Sequence, residues 1–171
     1  MKKIALCLFL LFIPACVSLG AIPPQEIDGY ENAKWGMTPQ KVMQAVGNNI
    51  QLLPENEWTR FQRGTSKLIQ KHILILNVPH DILYIFDMTN DALAEVFIQP
   101  SPGNLETINS MAYVAISHLL INTYGPLTSR HSDVNHTWGK WEFPKTHIIY
   151  YAMFNRGTRK NIYLSYSDAA K

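Results

Sequence analysis

Asp81-Ile82-Leu83-Tyr84-Ile85-Phe86, a turn, then Val96-Phe97-Ile98 reads as an antiparallel hairpin, and the pattern returns as His147-Ile148-Ile149-Tyr150-Tyr151-Ala152, a turn, then Ile162-Tyr163-Leu164. Both are strand-length runs of β-branched and aromatic residues bounded by turn formers. Met88-Thr89-Asn90-Asp91 and Asn155-Arg156-Gly157-Thr158 supply the tight turns. Each hairpin follows a stretch of helical periodicity that stops at a glycine, over residues 39–46 and 104–123. The repetition predicts a pseudo-duplicated unit of one helix and three strands. Two such units side by side give an α+β fold of two layers, an antiparallel sheet of about six strands with two helices on one face.

Outward from the hairpins, residues 67–77, 93–99, 136–143 and 160–167 read as further extended runs, with 58–63 as a first strand. Residues 48–56 carry Pro54 and little periodicity, which predicts a loop. At the first helix Thr38 is placed to cap, Pro39 suits the first position, and Val42, Ala45 and Val46 share one face before Gly47-Asn48. At the second, Asn104 is placed to cap, Glu106 lies in the first turn, and Gly125-Pro126 is the stop.

The amino terminus has the three-part layout of a secretory signal: Met1-Lys2-Lys3, an apolar run from Ile4 to Ile13, then small residues to Ala21. Its apolar run is far shorter than the ~20 residues that span a bilayer. We therefore expect residues 1–21 to be a signal peptide, 22–34 an extended leader stiffened by Pro23-Pro24, and 35–171 a single domain. The expected location is exported, in the periplasm or secreted. An alternative reads Ile13-Pro14-Ala15-Cys16 as a lipobox, so that Cys16 becomes a lipidated anchor. Cys7 and Cys16 are the only cysteines, so the folded part carries no disulfide. Without the two signal lysines the charges balance at thirteen against thirteen, which gives no electrostatic case for nucleic acid or an anionic membrane surface.

Trp35-Gly36-Met37-Thr38, then Val42 and Ala45-Val46-Gly47, resembles the opening of small bacterial envelope lipoproteins of the SmpA/OmlA (BamE-like) type. With Tyr124-Gly125-Pro126 and Trp141 downstream, the chain is also similar to exported bacterial proteins that begin with a Trp-Gly-Met-Ser/Thr helix. The resemblance implies a small helix-on-sheet domain related in shape to the β-lactamase-inhibitor-protein fold, an envelope location, and no catalytic residue.

Three residue sets could carry chemistry. Strand alternation sends Tyr151 and Tyr163 away from a face filled by Ile148, Tyr150, Ile162 and Leu164, which predicts a surface for an envelope protein or peptide. His131, Asp133 and His136 are the densest group of potential ligands and would bind zinc or copper if their segment folded back on itself. The bland reading of that segment is a solvated polar loop. Ser129, His131 and Asp133 have the residue types of a hydrolytic triad, but no Gly-x-Ser-x-Gly elbow accompanies them. The chain is therefore expected to be a non-enzymatic binding module that needs no cofactor. A small periplasmic metal or ligand binder is the alternative, and a hydrolase the remote one.

Overall fold

The computed structural model describes residues 26–47, 49–102, 110–155 and 158–171. The expected signal with Cys16, the start of the leader, the Asn104 cap with Glu106, and the Arg156-Gly157 turn centre lie outside the described residues. Among those described, no helix is long and apolar enough to cross a membrane.

The expected six-strand, two-layer α+β arrangement is not what the chain forms. The described residues are predominantly antiparallel sheet, with a nine-stranded sheet, a separate two-stranded one and two α-helices. In chain order the elements are β1 (Gly29–Tyr30), β2 (Ala33–Lys34), α1 (Pro39–Val46), β3 (Ile50–Leu52), a 3-10 turn at Glu55–Glu57, and β4 (Arg60–Phe61). Then come β5 (Gly64–Ile75), β6 (Val78–Phe86), β7 (Leu93–Pro100), α2 (Ser110–Tyr124), β8 (Ser129–Ser132), β9 (His136–Glu142), β10 (Thr146–Asn155) and β11 (Thr158–Asp168). β1 pairs with β2, and the large sheet runs β3-β5-β6-β7-β11-β10-β9-β8 with β4 also on β5.

The repeated three-strand unit is not what forms, because five strands of the large sheet follow α1, with β4 pairing off the main order on β5, and four follow α2. β3 to β7 follow α1 and β8 to β11 follow α2, and the two runs of strands join antiparallel where Leu164 of β11 faces Ile98 of β7. The strands missing from the sequence reading are the short outer ones. β3 spans three residues, and β8 is Ser-Arg-His-Ser with every residue exposed. β3 buries only Ile50 and β8 buries nothing, so neither is long enough or buried enough to show apolar alternation.

The central strands alternate over most of their length, with a register shift between β6 and β7 at Ile85/Phe86. Ile82, Tyr84 and Phe86 of β6, Val96 and Ile98 of β7, Ile148, Tyr150 and Ala152 of β10, and Ile162, Leu164 and Tyr166 of β11 turn to one face. There they form one core with Trp141 of β9, Val42 of α1, and Ile116 and Leu120 of α2. Burying each such large side chain is worth about 1.5–3 kcal/mol, so this face holds the fold together. Buried polar groups on β6 are partnered on both faces. Tyr84 donates its hydroxyl to Gln70 Oε1 at 2.5 Å, and Asp81 Oδ1 accepts from Ser101 Oγ at 2.5 Å and from the His72 amide at 3.2 Å.

The described part of the expected leader forms the β1–β2 pair, with Ala33 in the main core, and Trp35-Gly36-Met37 splices it to the large sheet. The Gly36 amide donates to the Leu93 carbonyl at 3.0 Å, and the Leu93 amide donates to the Met37 carbonyl at 2.8 Å, which holds the start of α1 against β7. Gly36 sits at φ +80, where a Cβ is disfavoured. The Thr38 hydroxyl makes no capping hydrogen bond, contrary to expectation, whereas Pro39 does occupy the first turn. The half-buried Trp35 donates Nε1–H to Thr146 Oγ1 at 2.8 Å, and that hydroxyl donates to the Ile27 carbonyl at 2.6 Å. Because the indole is only partly buried, Trp35→Ala should lower stability by about 2 kcal/mol in urea unfolding, less than a fully buried tryptophan. A loss under about 0.5 kcal/mol, the level of an ordinary surface change, would mean that this chain of hydrogen bonds anchors nothing.

His80 of β6 is buried, with Nδ1 2.8 Å from the Val78 carbonyl. Burial holds its imidazole below the ordinary value, against the weaker opposing effects of that carbonyl and Asp81. A depressed folded value means that the stability supplied by neutral His80 is present above pH about 6.5 and is lost as pH falls. His80→Asn, which keeps a donor for Val78 but cannot titrate, should therefore lose less stability than wild type between pH 7.5 and 5.5. Identical losses in the two proteins would contradict this.

Candidate functional site

The face opposite the main core is covered over only part of its width. On the β5–β7 side the chain from Leu53 to Phe61 lies across it. Leu53, Ile69 and Leu83 form a second buried cluster there, with Trp58, Phe61 and Phe97 packed against it. Trp58 is pinned by Nε1–H donation to the Leu53 carbonyl at 2.9 Å, with Lys67 Nζ 4.7 Å from its ring centre.

On the β9–β11 side the same face carries aromatic rings that no described segment covers. Tyr151 stands opposite both Tyr163 on β11 and Trp138 on β9, and Trp138 stands opposite His131 on β8. Register thus lines up one ring per strand. The contacts continue inward, with Tyr151 and Tyr163 4.8 Å apart at 22°, Tyr163 and Phe97 4.8 Å apart, and Phe97 and Phe61 5.3 Å apart. Outward, Tyr151 lies 6.1 Å from His136, His136 stacks on His131 at 4.8 Å, and His131 lies 6.0 Å from Trp138. Rings stacked on one another across strands stand on edge. The face therefore offers ring edges and hydroxyl tips rather than a flat aromatic floor.

Tyr151 and Tyr163 are both half-buried, because each is screened by its ring neighbours. Burial raises the Tyr163 phenol above its ordinary value, with smaller contributions from Tyr151 and Glu95. Burial likewise raises the Glu95 carboxyl, which accepts from Ser165 Oγ at 2.5 Å. A Lys140–Glu142 ion pair at 2.5 Å marks the rim. Trp138 and His136 escaped the sequence reading as members of this face. Their signal is the alternation of β9, where His136, Trp138, Lys140 and Glu142 occupy one side and Gly139 and Trp141 the other.

The segment read as a polar loop folds back as the β8–β9 hairpin and brings His131, Asp133 and His136 together. Asp133 Oδ1 accepts the backbone amides of Asn135 at 2.7 Å and His136 at 2.9 Å. Its Oδ2 lies 2.9 Å from His131 Nε2 and 3.2 Å from His136 Nδ1. The hydrogen bond with His131 is the largest cause holding the Asp133 carboxyl well below the usual carboxylate range, followed by the two amides. Ser129 makes no hydrogen bond to His131 among the described residues, so the triad residue types do not form a relay. Asp87 and Asp91 serve their turn and ion pairs with Lys171 and Lys67. A cavity of about 240 Å³ separates α2 from the sheet, bounded by Ile98, Ile116, Leu120, Ile162 and Leu164. It is open to solvent on one side, mostly apolar, and smaller than the ~300–1,000 Å³ of ordinary ligand clefts.

No family model, curated protein or solved structure matches the chain.

Proposed function

We propose that the chain is an exported, non-catalytic domain of the bacterial envelope that binds another protein or peptide through the β9–β11 part of its helix-free face, around Tyr151 and Tyr163. The observation that carries this reading is the contrast within one face. The β5–β7 side is roofed by the chain's own residues, while no described segment roofs the stacked rings beside it. Aromatic side chains with hydroxyl or indole tips, ringed by charge, are the composition of a protein–protein contact. The secretory layout of residues 1–21 and the likeness to envelope lipoproteins support the location, with Cys16 as the alternative membrane anchor. The proposal needs no cofactor and no nucleic acid.

A photo-crosslinking residue at position 151, compared with one at the exposed Leu119 of α2, tests it in the producing cell. A discrete protein adduct from 151 and none from 119 is expected. Adducts from 119 alone, or from neither position, would contradict the proposal.

A further inference from the structure

We propose that His131, Asp133 and His136 form a site for a divalent late first-row cation, zinc or copper(II), at the turn of the β8–β9 hairpin. Two imidazole nitrogens and one carboxylate oxygen suit these ions, whereas magnesium and calcium favour all-oxygen shells. Their donor atoms all lie within 4.8 Å of one another. Metal–ligand bonds of 2.0–2.1 Å in a tetrahedron put neighbouring donors ~3.3 Å apart. The 2.9 and 3.2 Å separations from Asp133 Oδ2 to the two rings are already close to that edge.

The two oxygens of Asp133 divide their work. Oδ1 is used by the Asn135 and His136 amides, which fix the carboxylate, and Oδ2 is left between the imidazoles. Ligand carboxylates are usually held by hydrogen bonds in this way. The rings are braced too, since His131 stacks on Trp138 and His136 on Tyr151. All three side chains are at least one-third exposed, so an ion can enter, and water can complete the shell. A turn needs only the Oδ1 contacts; the second oxygen and the paired imidazoles are what the turn leaves unexplained. The site rests on the hairpin alone and stands whether or not the neighbouring face binds a partner.

Calorimetric titration of the full chain with zinc chloride tests the site, alongside tryptophan quenching by copper chloride, since Trp138 adjoins His131. One equivalent should bind, and zinc should raise the melting temperature. Asp133→Asn keeps the turn acceptor and should weaken binding at least ~10-fold. His131→Ala/His136→Ala should abolish binding without unfolding the chain, and His118→Ala, at an exposed helix position, should bind as wild type does. No heat or quenching with wild type, equal affinity in the double variant, or loss of binding in His118→Ala would each overturn the proposal.

Discussion

Trp141→Ala should cost about 4 kcal/mol of unfolding free energy, the largest single loss expected in this domain. The indole is 1% exposed, lies opposite Ile148 on β10, and has the Tyr124 ring 6.2 Å away. Its Nε1–H donates to the Gly125 carbonyl at 2.8 Å, and Gly125, at φ +82, returns its own amide to the Ile121 carbonyl at 2.8 Å. The side chain thus fills the core and also satisfies a carbonyl at the end of α2. Alanine would leave a cavity and an orphaned acceptor together. Since whole domains are stable by only about 5–15 kcal/mol, the variant should unfold at a much lower urea concentration. Trp141→Phe, which refills much of the cavity but cannot donate, should recover about half of the loss. A measured loss below about 1 kcal/mol for alanine would show that α2 is not docked through this residue.

Tyr151→Ser/Tyr163→Ser should abolish partner capture while leaving the domain folded. The two rings stack on each other, with Tyr163 also against Phe97, and both are only half-buried, so their removal together should cost about 2 kcal/mol, within the range of aromatic pairs plus partial burial. Binding should respond far more strongly, because a desolvated aromatic at the centre of an interface contributes about 2 kcal/mol or more, and two are lost. Capture by crosslinking from position 138 should therefore fall by roughly 1,000-fold, below detection. Retained capture would remove the tyrosines from the function. Global unfolding would make them core residues, and both results would count against the proposed surface.

The sequence made the central strands plain for a physical reason. β6, β7, β10 and β11 each send alternate side chains into the main core, which wrote Tyr84, Tyr150 and Leu164 into a readable pattern. β1 and β2 are two residues each, β3 is three, and β8 is wholly exposed; their pairing is set by neighbouring backbone, with no side-chain period to betray it. The six-strand expectation failed at those elements. The direction of Tyr151 and Tyr163 followed from the same alternation. What lay beside them did not, because the covering of Leu83 and Phe97 by Leu53–Phe61 depends on a turn at Glu55–Glu57 that carries no apolar signal. The closeness of His131 to His136 was legible only as a condition, since it required the β8–β9 hairpin.

Nitration of tyrosines by tetranitromethane, read residue by residue in the purified protein and in intact envelope, measures the central claim most directly. In the purified protein Tyr151 should react first and Tyr163 more slowly, since burial raises its phenol, while the buried Tyr84, Tyr150 and Tyr166 stay unmodified. In the envelope, with the partner seated, Tyr151 should be protected. Nitration of Tyr151 no faster than that of Tyr84 would mean that the face is covered by the chain itself, and equal nitration of Tyr151 in both preparations would mean that nothing binds there.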